Sequence, residues 1–90
     1  MTFIDWSDAE GMIELFHEFV RDELNGCVAD AERRAFLRQL LGDVMSIHET
    51  KLVDGIEQLR ALQDAIPDEF RADPACTHLA DLIVELEGLA

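Results

Sequence analysis

Glu14 and His17 stand three apart in the run Glu14-Leu15-Phe16-His17, the Glu-x-x-His spacing by which helices of carboxylate bundles hold iron or manganese. At that spacing both side chains leave one face of one helical turn and can converge on a cation. A complete site needs carboxylates from other helices and usually a second such pair. Neither is evident: His48 is followed directly by Glu49, and His78 precedes Asp81 in the wrong order. Around Glu14 the helical period sets Glu10, Glu14, His17 and Arg21 on one edge, opposite the phenylalanines, where they are expected to face water and pair at i, i+3 and i+4. No metal site is expected. His78, Asp81 and Glu85 share a face of a later segment and read as a solvated polar face with at most weak affinity for a cation.

The remaining inventory for catalysis is thin. Ser7 and Ser46 stand at helix-cap positions, tyrosine is absent, and no glycine-rich phosphate loop occurs. Cys76 and His78 lie two apart, a spacing that sends side chains to different helix faces. With no nucleophile and base brought together, neither an enzyme nor a cofactor is expected. Cys27 and Cys76 have no CxxC or zinc-type spacing and no secretory h-region before them, so both are read as reduced thiols of a cytoplasmic protein. No apolar run approaches the length of a membrane span.

Charge carries more information than any motif. The 90 residues hold 20 acids and 7 bases, a formal net charge of −13, distributed unevenly. Residues 1–25 carry seven acids and one base, and residues 67–90 six acids and one base. Residues 26–45 balance at three each, with Arg33, Arg34 and Arg38 the only basic cluster. Such a field repels nucleic acid and anionic membrane and attracts a basic protein surface. Glu10, Glu14, Glu18 and Asp22 repeat at four-residue intervals and form one stripe. Like charges at that spacing cost an isolated helix a few tenths of a kcal/mol each, so the stripe is the expected partner-binding face. Arg33 and Arg34 lie too near a helix start to be favoured by its dipole, which points to a specific acidic neighbour within the chain or across a dimer.

The elements that position these groups follow from periodicity. Ser7 with Glu10 has capping-box spacing, and Ala9, Met12, Ile13, Phe16, Phe19, Val20 and Leu24 then recur at three and four, predicting a helix ended by Asn25-Gly26 in the left-handed conformation. Trp6 is expected to staple against that helix's first turn. A second segment starts from an Asp30 cap, and positions 37, 41, 44, 48, 52, 55, 59, 62 and 66 step onward without interruption. One long, kinked helix ending at Pro67 is therefore preferred to two helices divided near Gly42 or at a second capping box, Ser46 with Glu49. His48 falls on its apolar edge, read as a partly buried histidine satisfied by an acid, with a pH switch as the sharper alternative. Glycines 42 and 55 are places where a neighbouring helix can approach closely. Phe70 is expected to tuck into the core, and Asp73-Pro74 restarts a last helix, an acidic N-cap followed by proline at the first helical position.

The fold class is all-α: a small antiparallel bundle of three to four helices with a long central helix, as a single domain over residues 1–90. An apolar share of 49 % in so short a chain argues for folding and for more hydrophobic surface than one core hides, so a homodimer or bound partner is expected. The leading functional expectation is a non-enzymatic interaction module, an inhibitor, antiactivator or chaperone of a basic protein or of a protein's nucleic-acid-binding surface. The alternative is a structural or regulatory subunit that docks or dimerises through an exposed stripe of Leu52, Ile56 and Leu59, with a small metal-binding helical bundle a less favoured third.

Overall fold

Two residues ahead of the Ser7 cap, Asp5 opens the first helical segment of the computed structural model, which describes residues 5–89. The Asp5 N–H donates to Asp8 Oδ2 (3.0 Å) and the Asp8 N–H to the Asp5 carbonyl (3.0 Å), so this acid pair closes the N-terminus before Ser7 is reached. A 3₁₀ turn, Trp6–Ala9, leads straight into α1, Glu10–Gly26. The left-handed ending expected at Asn25-Gly26 does not form, since no described residue has positive φ. Instead the Cys27 N–H bonds to the Leu24 carbonyl (3.3 Å), an i to i−3 closure that tightens the last turn and makes a left-handed residue unnecessary.

Helix α2, Ala31–Met45, starts from the expected cap, with the Arg33 N–H donating to Asp30 Oδ1 (3.0 Å). The long central helix is not formed. Residues 46–51 divide it from α3, Leu52–Asp64. Ser46 ends α2 and does not cap α3: its N–H and Oγ both donate to the Gly42 carbonyl (3.0 and 2.8 Å). The chain then extends, because the Thr50 carbonyl accepts from the Trp6 N–H (2.9 Å) and Lys51 forms an antiparallel bridge with Asp5. A tertiary backbone pairing has overruled local periodicity. In phase terms, the buried positions run Leu37, Leu40, Val44 and Ile47, then step by five to Leu52 and continue through Ile56 and Leu59. A step of five cannot stay on one helix face. His48 accordingly lies exposed in the connection and not on a helix edge.

After a second 3₁₀ turn, Asp68–Phe70, the last helix α4 spans Pro74–Leu89. Asp73 caps it as expected, with Oδ1 accepting from the Ala75 N–H (3.0 Å). Phe70 is half-buried and stacks on Phe36, ring centroids 4.4 Å apart and 2° from parallel.

All neighbouring helices run antiparallel. Glu23 of α1 meets Arg33 of α2, Phe19 of α1 meets His78 of α4, and Arg60 of α3 meets Glu87 of α4 (2.5 Å). The core between them is centred on the fully buried Val20, Leu37, Val44, Leu52, Leu59, Leu79 and Leu86. The indole of Trp6 stands against α3 at Gly55, so the close approach there is made by a side chain and not by a neighbouring helix. A Cβ on Gly55 would stand 2.7 Å from the ring Cδ2 and nearer still to Cε3 and Cζ3, so only glycine admits the ring. Gly42 has no neighbour within 4 Å of where a Cβ would be.

These two glycines predict opposite outcomes from the same substitution. Gly42→Ala should stabilise the protein by about 0.5–1 kcal/mol, through helix propensity and unfolded-state entropy. Gly55→Ala should destabilise it by about 1–3 kcal/mol, because displacing the indole overwhelms the same propensity gain. Urea titrations read by circular dichroism check both signs.

Candidate protein-interaction surface

The carboxylates of α1 sort into two sets by helix phase. Ile13, Phe16 and Val20 point into the core, and Glu10, Glu14, Glu18 and Asp22 emerge on the opposite face, all exposed. Among the described residues none of these four forms an ion pair with Lys, Arg or His. The stripe read from the sequence is thus brought together as an uncompensated band about three turns long.

Arg33 shows where the rest of the charge goes. Its Nε donates to Asp73 Oδ2 (2.7 Å), its Nη2 to Asp73 Oδ1 (3.1 Å), and the same Nη2 to Glu23 Oε1 (3.1 Å). The bidentate fork on Asp73 is the strongest geometry available to such a pair, and the Asp73 side chain is only 8 % exposed. The Arg33 hydrogen bonds, helped by the Ala75 N–H, hold the Asp73 carboxyl below the usual range against the opposing effect of burial, and the Arg33 guanidinium is raised in turn. The specific neighbour inferred from the placement of the basic cluster is therefore Asp73 with Glu23. Arg34 and Arg38 remain exposed beside Leu24, Cys27 and Val28 at the α1–α2 corner.

Other sequence expectations are corrected here. Leu52, Ile56 and Leu59 do not form an exposed docking stripe: they are 1 %, 5 % and 0 % exposed, because the phase of α3 turns them into the core. His17 does not stand in water with Glu14 and Arg21. It is half-buried with Nε2 enclosed and without a hydrogen-bond partner, and burial, then Arg21, lowers its pKa against the pull of Glu14. Protonation there is disfavoured, and among the described residues no group of three His, Cys, Asp or Glu side chains could hold a metal ion. Cys27 and Cys76 are free, their thiols donating to the Asp30 (3.5 Å) and Phe70 (3.0 Å) carbonyls. Burial, then the Asp73 carboxylate, raises the Cys76 thiol pKa.

One feature was missed in the sequence. Beside the acidic stripe, α1 and α4 part to leave an open groove of about 390 Å³, with Phe16 and Leu82 as its floor and Met12 and Leu15 as one wall. Its other wall is the His78, Asp81 and Glu85 face of α4. Leu15 signals it in the sequence, as a leucine lying outside the core stripe among acids. It is 67 % exposed. No described helix is long and apolar enough to cross a membrane.

No family model, no curated protein and no solved structure matches this chain. Its charges and shape are what speak to its role.

The Arg33–Asp73 clasp carries a pH signature. An unfolded aspartate titrates near pH 3.9, and the folded Asp73 below that. The clasp's contribution is therefore complete above about pH 4 and is lost as pH falls through the lower folded value. Arg33→Met should cost about 2 kcal/mol at pH 7, and the wild-type advantage over it should shrink on acidification below pH 4. Paired urea titrations at neutral and acid pH measure that difference.

Proposed function

We propose that this protein is a small acidic, non-enzymatic interaction module that binds a basic surface on another protein through the outer face of α1, and so inhibits, sequesters or chaperones it. The observation that carries this reading is the selective neutralisation of charge. Arg33, Arg60 and Arg71 take up Glu23, Asp73, Glu87 and Asp68, while Glu10, Glu14, Glu18 and Asp22 stay exposed without a cation among the described residues. The charge spacing costs the helix stability and yields no internal contact in return. A basic partner converts that cost into affinity by steering and occlusion, and a nucleic-acid-binding protein offers such a surface. The free thiols fit a cytoplasmic setting. Docking through Leu52, Ile56 and Leu59 has no support once those side chains form the core.

The triple variant Glu14→Lys, Glu18→Lys and Asp22→Lys separates binding from folding. Only the pair of positions 10 and 14 becomes opposite in sign, while 14/18 and 18/22 stay like-charged, so the thermal midpoint should move by no more than a few degrees while capture of the partner from cell extract is abolished. Capture by the unaltered protein should also fall steeply between about 0.1 and 1 M salt, as the screening length drops from about 10 to about 3 Å. Capture that survives both the charge reversal and high salt would overturn the reading.

A further inference from the structure

The groove beside the stripe combines features that neither helix has alone. Its floor is apolar, with Phe16 3 % and Leu82 5 % exposed, and Leu15 stands up from its edge. His78, which lines it, stacks on Phe19 of α1, centroids 3.6 Å apart and 13° from parallel. On the α4 side Asp81 and Glu85 form an exposed pair one turn apart. On the α1 side Glu18 and Asp22 follow Leu15 at three and seven residues, on the face just beyond it. No lysine or arginine lines the groove. An apolar trough is thus bordered by carboxylates on both banks.

Resting on the reading that the acidic face of α1 binds a basic protein, we infer that the α1–α4 groove receives an amphipathic helix of that partner, its apolar stripe seated on Phe16, Leu82 and Leu15 and its flanking lysines or arginines meeting Glu18 and Asp22 on one bank and Asp81 and Glu85 on the other. Along α4 the groove runs from His78 to Glu85, about two helical turns or roughly 11 Å, the length over which apolar anchors at i, i+3 or i+4, and i+7 are presented. Charge selects the occupant. A second copy of the chain would set carboxylate banks against carboxylate banks at −13 per chain, whereas a basic amphipathic helix neutralises both. The stripe supplies attraction, and the groove supplies register.

A displayed library of helical peptides, random at surface positions, tests this when selected on the full chain and then measured on Leu15→Glu and Val84→Glu. Both positions are about two-thirds exposed, so both variants should fold, as circular dichroism verifies; Val84 lies outside the groove on α4. Selected peptides should carry lysine or arginine flanking an i, i+3 or i+4, i+7 apolar pattern. They should bind Leu15→Glu about tenfold more weakly, although its added charge attracts them, and Val84→Glu with unchanged affinity. Basic peptides without the apolar period, held equally by Leu15→Glu, would remove the groove while leaving the electrostatic reading intact. Selection of non-basic peptides, or of none, would end both. A dimer seen by light scattering and dissolved by Leu15→Glu would give the groove to a second copy and overturn the inference.

Discussion

Arg33 reaches two carboxylates that belong to other helices, and the arrangement of the bundle turns on that reach. Its fork grips Asp73 at the N-terminus of α4 and its outer nitrogen grips Glu23 near the C-terminus of α1, while its own backbone amide is held by Asp30 at the start of α2. Three helix ends are gathered at one arginine. A cation near the start of α2 is unfavourable toward that helix's own dipole, and it is retained by two anions close enough to outweigh the dipole. Asp73 serves twice, as ion-pair partner and as cap of α4, so the orientation of α4 across α1 is fixed at the end opposite Leu89. The parting of the two helices that makes the groove is measured from this anchor.

Where a local signal had no tertiary competitor, the sequence was legible. Asp30 and Asp73-Pro74 start helices because a carboxylate next to unsatisfied amides has nothing better to do. The core positions of α1 follow its period, and the all-α class needed only the absence of alternating segments. The acidic stripe was equally legible, since four carboxylates at steps of four must share a face whatever the helix packs against. Local signals failed where another part of the chain offered more. Ser46 with Glu49 has the spacing of a cap, yet Ser46 closes the helix behind it and Glu49 accepts a hydrogen bond from Gln58 instead. The continuous period from 37 to 66 was broken by a backbone pairing with residues 5 and 6, which no window of local sequence can reveal. The groove was illegible for the same reason, because its two walls are far apart in sequence.

Charge and packing divide the labour of this surface. The interior of α1 is ordinary, a stripe of Ile13, Phe16 and Val20 that any small bundle could use. The exterior departs from the ordinary in two adjoining places, a band of unpaired carboxylates and a leucine left standing beside a trough. Either alone has a bland account as a solvated face or as a shallow seam between helices. Their adjacency on one helix makes a single surface with both a long-range attraction and a short-range shape.

The contact of Trp6 with Gly55 has a consequence for how the molecule assembles. It joins positions about fifty residues apart, and with the pairing of residues 5 and 6 to residues 50 and 51 it ties the first turn of the chain to the start of α3. The α1–α2 hairpin is stitched by neighbours in sequence and can form early, but the segment preceding it has no resting place until α3 exists. On a ribosome this turn emerges well before α3 and docks late. As the chain has one tryptophan and no tyrosine, its indole is a built-in reporter of that closing event.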